Sequence, residues 1–110
     1  MQTVAATAHF LRRAARVLTE EEQAALVEMI AADPKCGVLL QGTGGLRKVR
    51  FGAGSRGKSG GARVIYYFFS EHAPVFLLEV FAKGERDNLT KAERDALAKL
   101  ARMIAAQWRE

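Results

Sequence analysis

Two runs, ARVIYYFF at Ala62–Phe69 and VFLLEVFA at Val75–Ala82, constrain the fold of this chain more than any other feature. Both are rich in β-branched and aromatic residues, which fit the pleated surface of a strand, and only the short turn around Glu71 to Pro74 separates them. Leu46 to Phe51 is a further strand of this kind, joined to Ala62 by a Gly-rich connection from Gly52 to Gly61. Successive strands so linked predict an antiparallel meander.

Helical signals bracket the meander. Gln2 to Ala6 reads as a short first strand, after which Thr7 caps a helix carrying Phe10, Leu11, Ala14 and Val17 at helical spacing. Thr19 and Glu22 form a T-x-x-E capping box ahead of Leu26, Met29 and Ile30. Glu20, Glu21 and Glu22 suit the positive end of that helix dipole, and Asp33-Pro34 stops the helix. Thr90 and Glu93 repeat the box before a closing helix with Leu97, Leu100, Ala101, Ile104 and Trp108 on one side. The predicted class is α+β, in the order β-α-α-β-β-β-α, with an antiparallel-rich sheet covered by helices on one face. At 110 residues, 1–110 is expected to be one domain with one core.

Composition narrows the function classes. No apolar run approaches the roughly 18 residues needed to cross a bilayer. The N-terminal stretch is Arg-containing and acid-poor up to Glu20, in the manner of a transit peptide, but a first strand and helix explain it more simply; a cytoplasmic protein is expected. The single Cys36 excludes an internal disulfide or a cysteine-based metal site, and His9 and His72 lack metal-ligand spacing. No metal or cofactor is expected.

Charge is the informative quantity. Seven Lys or Arg and no Asp or Glu lie between Pro34 and Ser70, while the rest of the chain carries ten basic against twelve acidic residues. The whole excess of +5 therefore resides in one segment, a pattern that attracts phosphate chains, whereas a surface serving solubility alone mixes both signs. On the strand Leu46 to Phe51, alternation puts Lys48 and Arg50 on one face and Arg47, Val49 and Phe51 on the other. Arg63 enters the next strand, and Lys83 and Arg86 follow the last one. Pairing in sequence would bring these cations to one rim, although edge cations also serve to discourage aggregation. GAGSRGKSGG leads into a strand rather than opening a helix, so its GKS is no phosphate-binding P-loop. Tyr66 and Tyr67 are better suited to packing than to chemistry.

GTGGLRKVRF, GGARVIYYFF and VFLLEVFAKGERDNLT resemble the corresponding blocks of HigB-type toxins in the RelE/ParE toxin-antitoxin superfamily. The resemblance implies a RelE-like fold and a ribosome-dependent endoribonuclease that cuts mRNA in the ribosomal A site. It implies as partners the ribosome, mRNA and a cognate antitoxin, of helix-turn-helix type. By position it makes Lys48, Arg50 and Arg63 the catalytic set and leaves Arg47, Arg56, Lys58, Lys83 and Arg86 as contacts to RNA or ribosome. Gly84 stands where RelE has a catalytic arginine, and Thr90 lies near the position of its catalytic tyrosine, so the family's proton-transfer groups do not carry over. Lys48, crowded by Arg47 and Arg50, is the candidate for that role. A ParE-like gyrase poison and a noncatalytic RNA-binding regulator remain as alternatives, because fold does not separate them.

Overall fold

A computed structural model describes residues 1–52, 61–86 and 88–108. The elements run β1 (Val4–Ala6), α1 (Ala8–Val17), α2 (Glu20–Ala32), β2 (Val38–Leu39), β3 (Leu46–Phe51), β4 (Ala62–Tyr67), β5 (Val75–Ala82) and α3 (Lys91–Gln107). The predicted mixed α+β order holds, with the two-residue β2 as an addition. It is too short to show a period in sequence, and pairing with β3, Val38 opposite Lys48 and Leu39 opposite Arg47, is what defines it.

The local signals act as their chemistry requires. Thr7 Oγ1 accepts from the Phe10 amide and starts α1. Both capping boxes close: Thr19 with Glu22 at α2, and Thr90 with Glu93 at α3, each side chain accepting from the other residue's amide. Satisfying two otherwise orphaned amides at each helix start fixes where the chain turns into α2 and α3.

The five strands lie in the order β1-β5-β4-β3-β2. β3, β4 and β5 form the antiparallel meander, and β1 adds to the far edge parallel to β5. Ile65 and Tyr66 face Glu79 and Leu77, so Leu78 is the extra residue of a bulge in β5.

The helices do not share one face, as the sequence suggested. All six residues of β4 are buried. On one side Val64, Tyr66, Val75, Leu77 and Val80 pack with Phe10 and Ala14 of α1 and Leu26 and Ile30 of α2. On the other, Leu46, Ile65, Tyr67, Leu78 and Phe81 pack with Ala101 of α3, flanked by Leu97, Leu100 and Ile104. A sheet with both faces apolar needs cover on both, and α3 supplies the second layer. Trp108 ends up at the C-cap of α3, 46% exposed, its ring 6.3 Å from that of Phe76.

Candidate nucleic-acid interface

Alternation along β3 places the basic residues. Leu46 belongs to the core on the α3 side of the sheet, so Lys48 and Arg50 follow on that side, while Val49 and Phe51 pack toward α1 and α2. β4 runs antiparallel with Arg50 directly opposite Arg63 and Lys48 opposite Ile65. Arg63 in turn faces Phe81 of β5. Lys48, Arg50 and Arg63 therefore share the α3-side face, toward the end of the sheet away from Leu46 and Tyr67. They differ in access: Arg50 is exposed, Lys48 half-buried and Arg63 only 2% exposed.

The segment between β5 and α3 flanks this face. The Lys83 amide donates to Gly61 O at 3.0 Å, which brings the start of the segment beside the start of β4. The amides of Glu85 and Arg86 both return to Ala82 O, a tight turn. The Arg86 guanidinium lies 4.6 Å from the centroid of the Phe81 ring, within cation–π range, and donates to Glu93 Oε1. That hydrogen bond, first among the causes, holds the Arg86 guanidinium above its ordinary pKa and the Glu93 carboxyl below its own. Further along, Asn88 Oδ1 accepts from Lys48 Nζ at 2.7 Å.

A second ionic group ties α1 to the same strand. Glu79, buried within β5, meets His9 Nε2 at 2.9 Å, Arg13 Nε at 3.7 Å and Arg86 Nη2 at 4.0 Å. Arg13 Nη2 also reaches Glu85 Oε1 at 2.9 Å. Glu85 is held below the ordinary carboxylate range, first by the hydrogen bond from the Ala82 amide and also by Arg13. His9 thus has a structural role, contacting a buried carboxylate. An acid inside an otherwise apolar strand, as Glu79 stands in VFLLEVFA, is a signal that such a position needs polar partners, and the strand pattern alone did not name them.

Arg47 stands apart from the other cations. Its Nη1 donates to Gly37 O at 2.7 Å and Lys35 O at 3.3 Å, holding the chain between α2 and β2. Tyr66 holds the same stretch from below: its hydroxyl donates to Pro34 O at 2.7 Å and accepts from the Gly37 amide at 2.8 Å. Burial raises the Tyr66 phenol above its ordinary pKa. Gly37 admits this approach because it lacks a Cβ, which would sit 2.9 Å from Tyr66 Cε1 and 3.0 Å from Lys48 O. Tyr67 is buried as well, its ring stacked on Phe69 at 5.1 Å. The Lys83 side chain is exposed beside the start of β4. Arg56 and Lys58 lie outside the described residues. Among the described residues no group of three or more His, Cys, Asp or Glu is placed to hold a metal ion, and no helix is long and apolar enough to cross a membrane.

Three helices around a five-stranded sheet in this order define a RelE-like α+β fold. The free-state structure of the E. coli toxin RelE, in a form with two arginines replaced by alanine, matches this chain with a TM-score of 0.57 and 16% identity. The match covers 92% of this chain and 96% of that one. Residues 4–110 match the family described as the RelE toxin of the RelE/RelB toxin-antitoxin system, and the chain belongs to that family.

Proposed function

We propose that this chain is the toxin of a type II toxin-antitoxin pair, of the HigB type, acting in the cytoplasm as an endoribonuclease that cuts mRNA in the A site of the ribosome. The observation that carries the reading is the placement of Lys48, Arg50 and Arg63 on one sheet face, with Arg50 and Arg63 directly paired. Cations gathered on one face attract a phosphate chain.

The reaction is attack of an RNA 2′-hydroxyl on its adjacent phosphorus, expelling the 5′-oxygen through a dianionic transition state. Arg50, exposed at the rim, meets the phosphate oxygens, where its planar fork offers paired donors to the developing charge. Lys48 is assigned proton transfer. Arg63, 2% exposed and opposite Arg50 in the β3–β4 register, is assigned to the same phosphate. Lys83, exposed beside β4, and Arg56 and Lys58 extend the contact to RNA and ribosome. Arg47 contributes by fixing the backbone beside β3, and Arg86 by its station over Phe81. The natural partner is an antitoxin, of helix-turn-helix type, whose acidic or flexible segment masks the cationic face.

Lys48, Arg50 and Arg63 supply charge, and the His9–Glu79 pair is a contact of α1 with β5 rather than part of that set, so the proposed geometry comes from a scaffold that presents the messenger. The test compares naked mRNA with mRNA on translating ribosomes at equal toxin and RNA concentrations, mapping product 5′ ends, with a Lys48→Ala control against contaminating nuclease. Cleavage within the coding region, confined to the ribosome-bound messenger, is the expected result. Equal cutting in both arms overturns the ribosome dependence; no cutting in either overturns the nuclease assignment and favours action on gyrase or simple RNA binding.

A further inference from the structure

We propose that Asn88 is the residue that positions the Lys48 ammonium on the cationic face. A lysine side chain carries four rotatable carbon–carbon torsions and, left alone at a sheet rim, spreads its charge over a wide volume. Here Nζ is 2.7 Å from Asn88 Oδ1, a short contact made by a charged donor, across 40 residues of sequence. The acceptor has anchored residues on either side of it in the chain. Two residues before it, Arg86 is held by Ala82 O, by the Phe81 ring and by Glu93. Two residues after it, Thr90 is locked into the capping box of α3 by the same Glu93 carboxylate oxygen, Oε1, that Arg86 contacts. Asn88 therefore lies between two residues, Arg86 and Thr90, that both contact the Glu93 carboxylate.

An amide oxygen suits this task better than a carboxylate. It orients the ammonium without cancelling its charge, leaving Lys48 positively charged toward an incoming phosphate, and it takes no proton itself. Asn88 touches neither substrate nor reacting atoms in this assignment. It acts through Lys48, in a place where the family pattern supplies no matching proton-transfer group.

The proposal rests on the nuclease reading for its kinetic consequence but not for its physical one, and the two are tested separately. In the free protein, NMR of the Lys48 side chain, with ¹³C at Cε and ¹⁵N at Nζ, reads its mobility. Asn88→Ala should raise that mobility to the level of an exposed lysine, while Asn88→Asp, which keeps an acceptor oxygen at the same reach, should hold it down. In the ribosome assay, Asn88→Ala should lower kcat roughly 3- to 10-fold, the loss expected for one solvent-accessible charge-assisted bond, with KM little changed. Asn88→Asp should restore ordering while altering the charge presented to RNA, so its deficit should appear in KM. Unchanged Lys48 mobility in a folded Asn88→Ala protein overturns the proposal, as does a kcat equal to the wild-type value. A wild-type protein that cuts nothing sinks the nuclease reading instead, and leaves the mobility measurement to decide whether Asn88 holds Lys48.

Discussion

Replacing Tyr66 by Phe should test how the sheet is joined to the segment that follows α2. The ring is fully buried and packs in the core shared with α1 and α2, so Phe keeps its shape and nearly all of its apolar contact. What is lost is one hydroxyl that donates to Pro34 O at 2.7 Å, accepts from the Gly37 amide at 2.8 Å and lies 3.7 Å from Cys36 Sγ. These partners stay behind, and the Gly37 bond is buried. Leaving a buried polar group unsatisfied costs about 1–3 kcal/mol, so the substitution should destabilise the fold by about 2–3 kcal/mol. In a domain of this size that corresponds to a fall in Tm of roughly 8 °C or more. The urea midpoint, read at neutral pH with an unchanged slope, measures it.

The same residue carries a pH signature. Burial raises the phenol of Tyr66 in the folded state, so its contribution is fully present below the unfolded value of about 10 and is lost as pH rises above it. Tyr67, also raised by burial, adds to that alkaline loss. Above pH 10 the Tyr66→Phe protein should therefore lose stability less steeply than the wild type, keeping the part due to Tyr67. A loss below about 0.5 kcal/mol at neutral pH, where surface changes ordinarily fall, would refute the reasoning.

Glu93→Gln should keep the cap of α3, since a glutamine oxygen still accepts from the Thr90 amide, but should remove the carboxylate that Arg86 contacts. Because Glu93 titrates below its unfolded value of about 4.3, its contribution is present above that pH and lost on acidification, so urea midpoints between pH 2 and 6 should show a shallower acid limb in the variant, the remainder due in part to Glu85. Arg63→Ala should lower RNA cleavage by roughly 100-fold or more, with matching loss of growth inhibition, and Arg63→Lys should also be damaging because it lacks the planar fork. A folded Arg63→Ala protein with unchanged cleavage would remove Arg63 from the active set; circular dichroism and a urea melt establish the fold independently.

Much of the fold was written in short-range patterns. Thr19 with Glu22 and Thr90 with Glu93 mark helix starts because a capping box is complete within four residues. The strands of Leu46–Phe51, Ala62–Tyr67 and Val75–Ala82 were legible from β-branched and aromatic runs, and the placing of Lys48 and Arg50 on one face followed from alternation. β2 was not legible, because two residues carry no period and the partner that defines them is β3. The side of the sheet that α3 covers was not legible for a related reason: an apolar stripe says that a helix is covered, but not which side of a sheet covers it.

The candidate site divides along the same line. Sequence alone determined the charge excess between Pro34 and Ser70 and the residue types able to meet a phosphate, since these are properties of composition and of a period of two. Tertiary structure decided what each cation is next to. The β3–β4 register set Arg50 against Arg63, the carbonyls of Lys35 and Gly37 took up Arg47, and Glu93 took up Arg86. Asn88 carried no signal at all, because its significance lies in one hydrogen bond to a residue 40 positions away. Local chemistry fixes which groups a segment carries, whereas partners distant in the chain meet only once the sheet has paired and both of its faces have been covered.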